Sequence, residues 1–363
     1  MQPELAVDVL ILGAGPAGTA TALSLLAAGV GRVLLVEKPS TRPFAIGESA
    51  APTVAKLLEA LGLTDDLSQL GHRPYQGNLS LWGDGPPVVD HFLFRGQGHG
   101  WQLDRAAFNA WLQQAAVARG AQFACPATLT AIAPAPAFAG WQVTVSSLGQ
   151  VFARVVVDAT GRGARLATQL GARWQKLDAL VALATWAPPA PGLAGLALVE
   201  PFADGWWYAA CLPNGQAVVT LMTDQDVAKA RGWHTPAAYL QAWRATEQLA
   251  ARVPPPPELT AITVFAAHSG FLNRAAGRGW LAVGDALLAF DPLTAAGIAG
   301  ALADALAAGP AIQAQLHGDL ASSRAYAQRA NATLKRYLTE RQQHYRAERR
   351  WATQAFWARR AGV

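Results

Sequence analysis

Leu5-Ala6-Val7-Asp8-Val9-Leu10-Ile11-Leu12-Gly13-Ala14-Gly15-Pro16-Ala17-Gly18 decides the fold. Leu5 to Leu12 is a short, continuous apolar run, as expected of a strand buried on both faces of a parallel sheet. Ala17 to Ala28 then reads as a helix and Arg32 to Glu37 as a second strand, so a βαβ unit opens the chain. Gly13, Gly15 and Gly18 match G-x-G-x-x-G between that strand and that helix. Gly13 allows the tight turn, Gly15 lets backbone amides approach a pyrophosphate, and Gly18 permits close helix–strand packing. The helix N-terminus, with Ala17 in its first turn, supplies N–H groups and a partial positive charge for phosphates. Glu37, next to Lys38, stands where a carboxylate accepts hydrogen bonds from an adenosine ribose.

The wider composition agrees with a globular α/β protein. Of 363 residues 52% are hydrophobic and 15% charged, which is not the balance of a disordered chain. No apolar run approaches the roughly 20 residues a spanning helix needs, so no transmembrane segment is expected. The first apolar stretch runs into a glycine loop instead of a cleavage site, so a cytoplasmic location is expected. Cys125 and Cys211 are far apart and form no C-x-x-C pair. Two reduced core thiols are expected, and no metal site. The formal charge is +5, but Arg324 onward carries ten Lys or Arg against Glu340 and Glu348. The body is therefore mildly acidic and the tail basic.

Further along, Ala50 to Leu61 reads as a helix with Pro52 in its first turn and Ser49 as a suitable N-cap. Leu103 to Arg119 reads as another helix, and Val155 to Ala159 as a buried strand entering a glycine turn. Trp141 to Ser146 and Gly205 to Thr223 have β-rich patterns that predict a second, mostly antiparallel sheet. Pro188 to Pro191 and Pro254 to Pro257 break regular structure and mark connectors. The expected organisation is a discontinuous, Rossmann-type nucleotide-binding domain (1–75, 100–170 and 265–320) interleaved with a substrate domain (76–99 and 171–264). A basic, helical C-terminal segment (321–363) follows.

Three later segments say which dinucleotide. Asp158-Ala159-Thr160-Gly161-Arg162 resembles the A-T-G turn of flavoproteins, and Gly279 to Ala286, ending Gly284-Asp285-Ala286, resembles their G-D-A signature. Asp291-Pro292-Leu293-Thr294-Ala295-Ala296-Gly297-Ile298 resembles the D-P-L-x-x-x-G-I turn, and Leu103-Asp104-Arg105 the x-D-R helix start. Taken in order, these motifs resemble the FAD-dependent group A monooxygenase and flavin-halogenase superfamily. The resemblance implies FAD, held by Arg105, by the backbone near Leu129 and at Gly161, with Asp285 at the ribityl and diphosphate part. It also implies that Pro292, Thr294 and Gly297, ahead of Ile298, lie at the flavin ring as the catalytic turn. The helix opening near Thr294 would direct its positive end at anionic reduced flavin. A second complete G-x-G-x-x-G is absent, so electrons would come from transient NAD(P)H binding or a separate flavin reductase.

Gly47-Glu48-Ser49-Ala50-Ala51-Pro52 resembles the G-E-S/A-x-x-P turn of the halogenases and their hydroxylase relatives, which would put Glu48 and Ser49 beside the cofactor. Halogenation makes further demands that are not met. No lysine lies between Lys56 and Lys176, with Gln76 near the place one is needed, and Ala295 and Ala296 replace the polar residues of the halogenase turn. The stretch around Trp206-Trp207-Tyr208 instead resembles the LodB and GoxB type of flavoprotein, which matures quinone cofactors by hydroxylating a tryptophan in a partner oxidase. That implies a C4a-hydroperoxyflavin in a dry pocket, molecular oxygen as co-substrate, and an aromatic substrate carried on a protein or peptide. Trp82, His91, Trp206, Trp207 and Tyr208 are the candidate substrate residues, though the aromatic strand reads equally as core. A flavin-dependent halogenase, a geranylgeranyl-reductase-like enzyme and a flavin-binding escort of a precursor protein are the alternatives. No acid or base stands out. The tail, with Tyr337, Tyr345, Trp351, Phe356 and Trp357 among its arginines, reads as helix packed on the body, with docking of an acidic protein partner or of an anionic membrane surface as the alternatives, and nothing indicates nucleic-acid binding.

Overall fold

Strand Leu5–Leu12 lies between Gly149–Asp158 and Val33–Val36 and runs parallel to both. Val7, Val9, Leu10, Ile11 and Leu12 are buried, which explains a strand without polar alternation. The computed structural model describes residues 5–39, 46–193 and 195–362. Its first sheet has eight strands. Gln122–Ala124 extends it beyond Val33–Val36, and Trp280–Ala282 beyond Gly149–Asp158, both in parallel. Helix Pro16–Ala27 opens with proline in its first turn and has no side-chain cap. Helix Gly297–Leu316 packs on it closely enough that a Cβ at Gly309 would strike Ser24.

The segment around Trp141 does not join the second sheet expected for it. Gly140–Val145 pairs antiparallel with Gly149–Asp158 and with Leu129–Ala135, so it belongs to the first sheet. The tight reversal at 146–148 makes it the hairpin partner of a strand whose far end is already committed to the parallel core.

The second sheet has seven strands, in the order Thr263–Ala266, Leu180–Ala187, Ala217–Asp224, Gly205–Cys211, Leu196–Phe202, Gly77–Ser80, Val88–His91. Only the pair Leu196–Phe202 and Gly77–Ser80 is parallel. Helices Gln225–Ala230, Pro236–Arg244 and Gln248–Arg252 supply apolar residues to the core on one face, and the C-terminal helices supply the other.

Side chains alternate along a strand, and this separates the aromatic triplet. Trp206 and Tyr208 share one face, whereas Trp207 is fully buried on the other, against Phe202 and Tyr239 at ring distances of 6.2 and 5.1 Å. Trp207 is therefore core and not substrate wall. Ser49 is not a helix cap either. It is extended, paired in register with Gln102, and the helix Thr53–Ala60 begins after Pro52. Nor are the cysteines both core residues: Cys125 is exposed, and the half-buried Cys211 thiol donates to Ala190 O.

The basic tail forms helices Ala321–Ala347 and Ala355–Ala361 and packs on the body, burying Tyr337, Tyr345, Phe356 and Trp357. Arg359 and Arg360 both reach Asp224 at the end of strand Ala217–Asp224. No helix among the described residues is long and apolar enough to cross a membrane.

Truncating a buried tryptophan costs about 3–5 kcal/mol. Trp207→Ala is expected to lower stability by that amount in a urea titration. A loss under about 1 kcal/mol would remove Trp207 from the core.

Candidate active site

A cavity of about 370 Å³ lies between the two sheets. Its floor is the glycine loop at Gly15, Pro16 and Ala17 with Gly161, Arg162 and Asp285. Its far wall is the inner face of the second sheet, at Trp206, Tyr208, Thr220 and Met222. The turn from Phe290 to Ile298 joins the two.

The three glycines of the loop differ in what forbids a side chain. Gly13 has φ +104°, and a Cβ there would collide with Ala159 O; a Cβ at Gly18 would collide with Gly13 O. The chain itself requires both. Gly15 has φ −74°, and an added Cβ would meet nothing within 4 Å. No contact within the protein requires glycine there, so the open space is a cradle for a ligand backbone. Gly297 is open in the same way.

Two helices begin at this cavity, Pro16–Ala27 and Gly297–Leu316, and neither has a side-chain cap. Uncapped N–H groups and the positive ends of both dipoles thus favour an anion in the space between them. Behind the loop, Glu37 Oε2 accepts the Ala14 N–H at 2.5 Å and Oε1 that of Lys38 at 3.0 Å. Gln113 donates to Ala14 O at 2.8 Å, bracing the loop from helix Arg105–Ala118.

Charged groups line the cavity in matched positions. Arg162 donates to Asp285 at 2.6 Å and also to His268 O and Phe290 O. Arg105, half-buried, donates to the carbonyls of Ile46 and Gly47, while its Nε has no partner among the described residues. Glu48 is 4% exposed. Its Oε2 accepts the Gly47 N–H, and its Oε1 has no partner among the described residues. Burial pushes this carboxyl up to about 7, against its own and Gly47's backbone N–H groups and the pull of Arg105. Ser49 Oγ meets Tyr208 OH at 2.6 Å and Gln102 Oε1 at 3.0 Å, tying the first unit to the second sheet.

Of the residues singled out in the sequence, Gly15, Ala17, Glu48, Ser49, Arg105 and Gly161 border the cavity, as do Asp285, Pro292, Gly297, Ile298, Trp206 and Tyr208. Gly13, Gly18 and Glu37 stand behind its floor. Lys38 is exposed. Leu129 opens a strand outside the cavity. Thr294 does not border it: its Oγ1 turns back to Asp291 O, and the helix starts at Gly297. His91 caps the short helix Phe92–Arg95 through Nδ1, and Trp82 donates to His344 O beneath the C-terminal helix. Neither borders the cavity. Arg162 and Asp291 were missed as site residues, although both stand within motifs quoted from the sequence; a charged residue beside a glycine turn was the available signal. Among the described residues, no group of three or more His, Cys, Asp or Glu is placed to hold a metal ion.

Residues 6–352 match the FAD binding domain family. The chain belongs to that family. It is an FAD-dependent oxidoreductase, and its cofactor is FAD. It is 31% identical to LodB of Marinomonas mediterranea, named as an FAD-dependent oxidoreductase, over 361 residues that cover 97% of this chain and 96% of that one. Its fold is that of the flavin monooxygenases and halogenases. The myxobacterial chondrochloren halogenase CndH superposes with TM-score 0.86 at 24% identity, over 99% of this chain and 86% of that one. The peptidyl tryptophan dihydroxylase QhpG superposes with TM-score 0.79 at 24% identity, over 98% and 79%.

The cavity fits that cofactor: an open glycine cradle, two helix starts without side-chain caps and an arginine with a donor unused among the described residues suit a pyrophosphate-bearing ligand. Gly15→Val is expected to fold and to lose FAD, read as loss of the visible flavin spectrum from a protein with a native circular dichroism spectrum. Normal flavin content would sink the role of this loop. Glu48 generates a pH prediction. Its folded value, about 7, lies above the 4.5 of an unperturbed glutamate. Its share of stability is therefore full below about pH 4.5 and is lost as pH rises through about 7, roughly 3 kcal/mol in all. Glu48→Gln should flatten that decline in urea titrations across this range. An unchanged pH slope would show that Glu48 ionises normally.

Proposed function

We propose that the protein is a monooxygenase that hydroxylates an aromatic ring, namely a tryptophan of a partner protein or peptide, in the maturation of a quinone cofactor. The observation that carries this reading is the continuity of one cavity from the glycine cradle, past the turn 290–298, to the aromatic face of the second sheet. A ring seated against Trp206 and Met222 lies on the same cavity as the turn at Pro292. Support comes from end-to-end similarity to LodB and from a fold shared with a protein named as a peptidyl tryptophan dihydroxylase.

Bound FAD, once reduced, supplies the activation of molecular oxygen. The chain's part is to hold, orient and keep dry. Gly15, Ala17, Arg105, Gly161 and Asp285, with Glu37 behind the loop, hold the dinucleotide. The N–H groups at Gly297 and Ile298 offer positive potential where charge builds up. Trp206, Met222, Phe290 and Ile298 give the cavity apolar surface that excludes water. Tyr208, fixed through Ser49, orients the substrate ring. A general base is not required when the cofactor does the chemistry. Electrons come from NAD(P)H or a separate flavin reductase, and the reaction takes place in the cytoplasm.

Halogenation is the competing reading because CndH shares the fold, but no lysine lines the cavity among the described residues, and Ala295 and Ala296 offer no side-chain oxygen. The test is to incubate the FAD-loaded protein with a reductase, isotopically labelled oxygen, bromide and a tryptophan-containing peptide of the partner. Labelled oxygen in the indole ring is the expected result by mass spectrometry. A brominated ring, or no label with reductase and peptide both present, would overturn the proposal.

A further inference from the structure

Helix Ala321–Ala347 backs the wall of the cavity, and its Tyr345 touches two of the wall's residues, Trp206 and Asp291. Tyr345 OH accepts the indole N–H of Trp206 at 3.2 Å and donates to Asp291 Oδ2 at 2.9 Å. All three groups are essentially closed to solvent. The direction of this relay is fixed by chemistry. An indole nitrogen can only donate and a carboxylate can only accept, so the single phenolic proton must point at Asp291. Burial holds the Tyr345 phenol well above its ordinary value, so that proton stays in place at any working pH.

Asp291 is held from several sides. Its Oδ1 accepts the Leu293 N–H, its Oδ2 also faces Arg341 Nε at 3.4 Å, and its own N–H donates to Tyr337 OH. Arg341 is shared with Asp178 at 2.9 Å. Asp291 and Pro292 both border the cavity at the turn that precedes helix Gly297–Leu316.

We infer that Tyr345 is a positioning residue of the active site: it orients the Asp291 turn and screens its negative charge from the cofactor ring, thereby raising the tendency of the bound flavin to accept electrons. The inference rests on the cofactor ring lying at this turn and is independent of the substrate. Tyr345→Phe keeps the ring and removes the hydroxyl, and with it both the donor to Asp291 and the acceptor of the Trp206 N–H. The Asp291 carboxylate then presents more uncompensated charge to the cavity, which opposes electron uptake.

The test is the midpoint potential of the FAD-loaded protein, measured against a reference dye in wild type, Tyr345→Phe, Asp291→Asn and the double variant. Tyr345→Phe should load FAD as wild type does and show a lower potential. A tenfold fall in the reduction equilibrium is the expected order, about 30 mV for two electrons. Asp291→Asn should raise the potential, and adding Tyr345→Phe to it should change nothing further, since no charge is left to screen. An unmoved potential in loaded Tyr345→Phe overturns the inference. So does an equal fall in the Asp291→Asn background, which would mark Tyr345 as merely structural. Should Tyr345→Phe fail to load, Trp206→Phe strips the donor from the other end of the relay. Its potential must then fall in the same direction, and an unchanged or higher value overturns the inference. A flavin-free Gly15→Val beside an unmoved potential here would separate loss of this inference from loss of the cofactor assignment.

Discussion

A carboxylate shut away from water must be matched by donors, and Asp291 draws its donors from its own turn and from the C-terminal helix. Leaving a buried charge of this kind without its partner typically costs about 3–5 kcal/mol, a large share of the stability of an ordinary domain. The arrangement therefore makes helix Ala321–Ala347 an integral part of the fold. Through Arg341 it also reaches Asp178, and through Tyr337 it reaches Ser269. The turn that borders the cavity is thus placed by residues some fifty positions later in the chain.

The same helices account for the uneven charge of the sequence. Arg329 pairs with Asp304, Arg341 with Asp178 and Asp291, and Arg359 and Arg360 with Asp224. A basic tail on a mildly acidic body is here an intramolecular match. Much of the positive charge that would draw an acidic partner is already spent, and Tyr345, Phe356 and Trp357 among those arginines share a buried cluster with Trp206 and Met222.

What the sequence made legible follows from the range over which each signal acts. The opening βαβ unit is local: an apolar run, a glycine turn and a helix within a few tens of residues impose their own geometry. The motifs at Gly161, Asp285 and Pro292 were legible because each is a turn whose residues are specified by backbone conformation; Gly161 with φ +69° is one case. The phase of the strand Gly205–Cys211 was not legible. Three consecutive aromatic residues are apolar on both faces, so alternation alone does not say which side meets the cavity, and only pairing with Ala217–Asp224 and the helices behind it decides. Ser49 and Thr294 misled for a related reason. Each has the residue type of a helix start, but Ser49 is drawn into a strand with Gln102 and Thr294 bonds back to Asp291 O. The partners of Tyr345 lie 54 and 139 residues away, beyond the reach of any periodicity.

The cavity must accept an anionic dinucleotide although Glu48, Asp285 and Asp291 all border it. Unmodified, three carboxylates would repel the ligand that the two helix starts attract. Each is neutralised in a different way. Asp285 is tied to Arg162, Asp291 is surrounded by Arg341, Tyr345 and the Leu293 N–H, and Glu48, whose Oε1 has no partner among the described residues, is pushed up to about 7 by burial and so carries only part of a charge at neutral pH. Arg105 then keeps a donor that no other described residue uses at the cavity wall. The positive ends of helices Pro16–Ala27 and Gly297–Leu316 then meet less opposing charge, and fixed dipoles away from bulk solvent are screened less than in it. The acids of the cavity therefore need not act in proton transfer to matter, since their pairing sets the sign of the field in which the cofactor binds.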